Sequence, residues 1–188
     1  ECLEIFIRSL PSKSFFNIVR FGSRYVKLFE NSIEYNDETA EKGIQLAQTL
    51  DANLGGTNIY SPLSDLYNIQ NEHGQRQVFI LTDGEVNDVE KVLELIRTNA
   101  SKNRCFTIGI GRGCDAGLVE GMANASGGKS DFVQEGDSIS EKVIPQLKSS
   151  IHPSLTSIEV HLSGEGNDAF EVSPFPIPSV NATGSSVV

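Results

Sequence analysis

Residues Gln77–Glu85 read QVFILTDGE. Five apolar or β-branched residues, Val78 through Thr82, run without alternation into Asp83-Gly84, a turn signal. A continuous apolar run this short predicts a strand buried on both faces. Such strands lie in the middle of parallel α/β sheets, and ligands bind outside the carboxyl ends of those sheets. Asp83 is therefore the carboxylate that the sequence offers to a site. The other reading of Asp83 is a turn-forming aspartate before glycine.

The same grammar continues on either side. Cys2, Leu3, Phe6 and Leu10 share a helical face, and Pro11 stops that helix. Ser14–Phe21 predicts a strand, and Tyr25–Phe29 a neighbouring strand near an edge. Asn36 or Asp37 caps a helix running to about Leu50, with Ala40, Ile44 and Ala47 at helical spacing. The loop Asn53–Asn58 leads to Ser61-Pro62, read as cap and first turn of a short helix. Beyond the central strand, Asn87 with Glu90 predicts a capped helix to about Ser101, followed by a buried strand at Arg104–Ile110. Asp115 caps a further helix, Asp131–Gln134 is a short strand, and Ser138–Ile151 is helical. Pro145 within that last segment means either a late start or a kink. Strand and helix alternate throughout, which predicts a doubly wound, mostly parallel α/β sheet flanked by helices. His152-Pro153 marks a boundary, so residues 1–151 form one domain and 152–188 begin a β-rich segment and linker. Beyond it, Pro174, Pro176 and Pro178 alternate with other residues in a stretch that cannot join a central sheet.

Composition narrows the functions. The 188 residues are 38% hydrophobic and 21% charged, enough for one domain with a substantial core. A formal net charge of −10 gives no basic patch for nucleic acid and suits cation binding or plain solubility. No apolar run is long enough for membrane insertion, and the first residues lack the pattern of a signal peptide. Cys2, Cys105 and Cys114 form no CxxC pair, which disfavours a thiolate zinc site and points to a reducing, cytoplasmic setting.

Several chemistries fail on spacing. Gly109, Gly111 and Gly113 suggest a dinucleotide fingerprint, but Cys114 stands where the third glycine belongs. There is no GxxxxGK[ST] phosphate loop and no GxSxG elbow beside His73, His152 or His161. Among Asp83, Glu85, Asp88 and Glu90, the last two are explained as helix-start residues. What remains is a hard-cation site. Magnesium takes oxygen ligands, keeps several waters and needs few protein groups. Thr57, after Gly55-Gly56, can offer a hydroxyl, and Asp83 a carboxylate from the same rim of the sheet. A third contribution is needed, and no residue of the chain clearly supplies it.

LGGTNIYSPL (Leu54–Leu63) followed by FILTDGE (Phe79–Glu85), CFTIGIG (Cys105–Gly111) and GMANASGG (Gly121–Gly128) resembles the von Willebrand factor A domain over about residues 1–151. The nearest flavour is that of intracellular proteins that pair it with an upstream VIT domain, and the inter-alpha-trypsin inhibitor heavy chains look like more distant, secreted relatives. The resemblance implies a metal-ion-dependent adhesion site holding magnesium. That site takes a DxSxS motif after the first strand, a threonine in a later loop and an aspartate after the fourth strand. Thr57 and Asp83 match the threonine and the aspartate. The DxSxS motif is absent; in the family it precedes the first helix, and this chain opens in that helix. The function implied is a non-enzymatic protein-interaction module in which a partner's acidic side chain completes the metal shell. The alternatives are a metal-independent scaffold and an A domain tethered within a larger enzyme, an arrangement that some vault-associated ADP-ribosyltransferases resemble. The family's first strand is central, so a chain without it leaves the strands at 14–21 and 77–82 without their shared neighbour and is expected to fold poorly alone.

Overall fold

A computed structural model of the chain describes residues 2–49, 55–84, 86 and 88–151. Pro11 follows the first helix, α1 (Cys2–Arg8), which buries the adjacent pair Phe6 and Ile7. The predicted strand at 14–21 is divided into β1 (Phe15–Phe16) and β2 (Val19–Phe21). The division falls at Asn17. Its side chain donates to Phe29 O at 2.8 Å and accepts from the Ile18 and Phe29 amides at 2.8 and 3.1 Å. Side-chain bonds from Asn17 to Phe29 thus take the place of the strand ladder. β2 pairs antiparallel with β3 (Tyr25–Lys27), and β1 with β4 (Ile33–Glu34), which is too short to leave a pattern in the sequence.

Asn36 begins α2 (Asp37–Gln48). Its Oδ1 accepts from Thr39 N while Thr39 Oγ1 accepts from Asn36 N, a reciprocal capping box. α3 (Tyr60–Asn68) keeps Pro62 in its first turn, but Ser61 lies inside the helix. The side-chain cap comes from Asn58, whose Oδ1 accepts from Ser61 N at 3.0 Å.

The apolar run is β5 (Arg76–Thr82), and it alternates with α4 (Val89–Asn99), β6 (Asn103–Ile110), α5 (Ala116–Ala125), β7 (Ser130–Val133) and α6 (Ile139–Ile151). Asn87 lies outside the described residues; Asp88 precedes α4 in a left-handed conformation with no side-chain cap bond. Asp115 caps α5 as predicted, accepting from Leu118 N at 3.0 Å. α6 starts at Ile139 and runs through Pro145, which removes the late-start alternative. The predicted β-rich segment at 152–188 lies outside the described residues.

β5, β6 and β7 form a parallel sheet in that order. Val78 and Ile80 face a core with Leu63, Val92, Ile96 and Met122, on the side of α3, α4 and α5. Phe79 and Leu81 face the other way, toward Phe6, Ile108, Val143 and Leu147 of α1, β6 and α6. Phe79 lies between two rings, with centroids 4.7 Å from Phe6 and 5.1 Å from Phe106. Burial on both faces is why the run does not alternate. The architecture is the expected α/β sheet flanked by helices. It differs in that β2 belongs to an antiparallel ribbon and, among the described residues, β5 is bonded to β6 alone within the sheet.

Candidate functional site

The rim at the carboxyl end of the sheet is assembled from three loops. The first is 55–58. Gly56 has φ 52°, and a Cβ there would lie 2.8 Å from Ser23 Oγ, so glycine is required both by backbone and by space. The loop is tied to the β2–β3 turn, where Ser23 N donates to Gly55 O and Asn58 N donates to Gly22 O at 2.9 Å. Ile59, 1% exposed, then anchors the chain in the core beside Ile80. Thr57 is held between that tether and that anchor, half-buried on the rim.

The second loop follows β5. Asp83 is exposed and the next residue, Gly84, lies against Thr57: a Cβ on Gly84 would come 2.8 Å from Thr57 Oγ1. The Thr57 hydroxyl therefore rests on the backbone immediately after Asp83, and the two predicted residues meet on one rim. The third loop follows β6, where a Cβ on Gly113 would lie 3.6 Å from the Asp83 carbonyl. The remaining carboxylates are elsewhere or outside the description. Asp88 is ion-paired with Lys91 at 3.2 Å, Glu90 sits in the first turn of α4, and Glu85 is not among the described residues.

Two features were not foreseen. Thr82 Oγ1, at the end of β5, is buried, with Thr82 only 4% exposed, and has no hydrogen-bond partner among the described residues. Beside loop 55–58, Ser23, Arg24, Tyr25, Asn58 and Ser61 line a half-open cavity of about 230 Å³. The sequence signals Gly84 as a turn residue, but neither its contact with Thr57 nor the unpartnered hydroxyl leaves a local pattern.

The donors that the rim presents are oxygen, the Thr57 hydroxyl and the Asp83 carboxylate, with the buried Thr82 hydroxyl next to Asp83 in the chain. Among the described residues, no three His, Cys, Asp or Glu side chains gather as they would around a metal held by side chains alone. Such a rim fits a hard, largely hydrated cation better than a thiolate or imidazole cage. Cys114 points its Sγ at Gly111 O, 3.4 Å away, and His73 stacks on Phe15 with centroids 3.9 Å apart.

Comparison with known proteins converges on one family. The family model described as the von Willebrand factor type A domain matches residues 1–132. The human von Willebrand factor A domain-containing protein 5A is 38% identical over 161 residues, 85% of this chain and 20% of that protein. A von Willebrand factor A domain-containing protein of Dictyostelium discoideum is 40% identical over 159 residues, 84% of this chain and 17% of that one. The chain thus spans about a fifth of the length of these curated relatives. Among solved structures, a von Willebrand factor type A protein from Catenulispora acidiphila superposes with a TM-score of 0.69 at 16% identity, over 79% of this chain and 36% of that one. The proximal thread matrix protein 1 of the mussel byssus, solved with a zinc-occupied MIDAS motif, superposes with a TM-score of 0.65 at 19% identity, over 82% of this chain and 42% of that one. At those identities the structures speak to the fold, and the sequence matches carry the kinship: the chain belongs to the von Willebrand factor type A domain family.

Proposed function

We propose that this domain is a non-enzymatic protein-interaction module that binds partners through a magnesium ion held on its rim. The observation that carries the reading is the seat of the Thr57 hydroxyl on Gly84, beside the exposed Asp83 carboxylate. The relatives' family membership supports the module, and the zinc-occupied MIDAS motif of the mussel protein supports a divalent cation within this fold. Thr57 and Asp83 would hold the ion, with further oxygen ligands from the DxSxS motif that the family resemblance implies. The ion supplies positive charge in excess of its protein ligands, and a carboxylate from a partner binds favourably there. Arg24, lining the cavity beside loop 55–58, adds a local positive charge to a molecule whose net charge of −10 would otherwise repel an acidic partner. Free thiols at Cys105 and Cys114 are compatible with a reducing cytoplasmic setting.

Calorimetric titration of the full-length protein with magnesium tests this reading. Saturable binding is expected in the wild type and is lost in both Thr57→Ala and Asp83→Ala, with thermal stability little changed because both residues lie at the rim. A flat titration of the folded wild-type protein, or partner binding that survives chelation, would replace the metal-dependent reading with that of a scaffold.

A further inference from the structure

Resting on the proposed metal rim, we infer that Thr82 is a positioning residue for it: its hydroxyl hydrogen-bonds the water shell of the bound cation and holds that shell against Asp83. Thr82 is 4% exposed, and its Oγ1 has no partner among the described residues. A buried hydroxyl without a hydrogen bond lowers stability, whereas valine has nearly the same shape, prefers strands at least as well and carries no such penalty. The hydroxyl therefore calls for a partner that the described residues do not supply.

Its position identifies the partner. Thr82 and Ile80 point to the same side of β5, the side from which Thr57 descends through Ile59 into the core. A comparison lies on the next strand. Thr107, the register partner of Ile80, is also fully buried, and it donates to Val119 O of α5 at 2.6 Å. Two residues nearer the rim, the register partner of Thr82 is Gly109, where Cys114 Sγ and Phe132 occupy the space a side chain would take. At Gly109 the nearest atoms are a thiol and a ring. The orphaned hydroxyl thus directly precedes the carboxylate of the proposed site, and it faces the side where the second ligand enters. A hydrated magnesium ion brings water oxygens that can pair with such a group, which a bare apolar pocket cannot.

The test is a pair of variants, Thr82→Val and Thr82→Ser, in the full-length protein, read by magnesium calorimetry and by thermal melting with chelator present. Thr82→Val is expected to weaken magnesium binding about tenfold, the scale of a group acting through a metal's ligands. With chelator its melting temperature should match or exceed that of the wild type, and Thr82→Ser should restore affinity. Unchanged affinity in Thr82→Val beside a magnesium-binding wild type overturns the positioning role alone. A lower melting temperature of Thr82→Val under chelator also overturns it, because the hydroxyl then serves the fold. A wild type that binds no magnesium overturns the role together with the rim on which it rests.

Discussion

Gly84 has no room for a side chain because of Thr57. A methyl group there would sit 2.8 Å from Thr57 Oγ1, against an ordinary contact of 3.4 Å or more, so the threonine must rotate or the loop must move. Overpacking of this kind costs about 1–3 kcal/mol in a rigid core, and less at a half-buried rim where a side chain can turn away. The larger consequence is for the site. Gly84→Ala is expected to weaken magnesium binding as much as Thr57→Ala does, and the double variant should be no worse than either single one. Contacting residues that serve one ligand fail to add. Additive losses measured by calorimetry would show that Gly84 and Thr57 act separately. The sequence singles out Thr57 and Asp83 because each adjoins glycine in a loop at the rim, Asp83 at the end of an apolar run where ligands gather in this class of sheet. It does not single out Thr82. A threonine at the end of a strand looks like any β-branched residue, and whether its hydroxyl finds a partner depends on what the fold places beside it, such as Gly109 across the sheet.

Elements were legible where they depend on their own residues and obscure where a distant residue decides. Asn36 and Asp115 cap their helices through bonds to residues three positions on, and the sequence shows both. The division of β1 from β2 depends on Asn17 reaching Phe29 across twelve residues, which no local pattern reveals. The contact between α3 and β6 is another long-range pairing, and it makes stability depend on pH. Tyr67 Oη and Cys105 Sγ lie 3.3 Å apart, with Cys105 fully buried. Burial pushes the Cys105 thiol up, against the smaller downward pull of its bonds to Tyr67 and Ser126. Burial, reinforced by Cys105, pushes the Tyr67 phenol up as well. In the unfolded chain a cysteine ionises near pH 8.5 and a tyrosine near pH 10. Above about pH 8.5 the unfolded state therefore releases a proton that the folded state keeps. The stability contribution is complete below that pH and declines as pH rises, by up to about 1.4 kcal/mol per unit for each group. Urea unfolding at pH 8 and at about pH 9.5 is expected to show this decline, and Cys105→Ala should flatten it. An equal decline in the variant would assign the effect to other groups.

The molecule as a whole is two bodies of apolar contact, joined by α1 and by a few contacts of the N-terminal ribbons. Around the parallel sheet, cores form on both faces. A separate cluster of Ile7, Ala40 and Ile44, with Ile18 and Tyr35 against it, holds α2 to the N-terminal ribbons. α1 belongs to both: Phe6 packs on Phe79 of the sheet while its neighbour Ile7 packs on α2. Besides that helix, Phe21 of β2 packs on the sheet core, Lys27 of β3 is ion-paired with Asp65 of α3, Phe15 of β1 stacks on His73, and the loop 55–58 ties the β2–β3 turn to the sheet side through two backbone hydrogen bonds. Within the sheet, β6 is bonded on both sides, whereas β5 is bonded among the described residues only to β6, although its side chains are half-buried or buried along its whole length. A buried strand with a free edge forgoes ladder bonds that contribute about 1 kcal/mol net each, a large share of the 5–15 kcal/mol that stabilises a typical domain. Local opening is expected where such contacts are fewest. For the isolated 188-residue chain, a circular dichroism melt should therefore be broad and begin at low temperature. Hydrogen exchange should find the amides of β2 and β3 opening well before those of β6, which lies between β5 and β7 and is buried from Asn103 through Gly109. A single sharp transition at high temperature, with β2 and β6 protected alike, would mean that α1 and these bridging contacts suffice to make one cooperative unit, and that the edge of β5 carries no penalty in this chain.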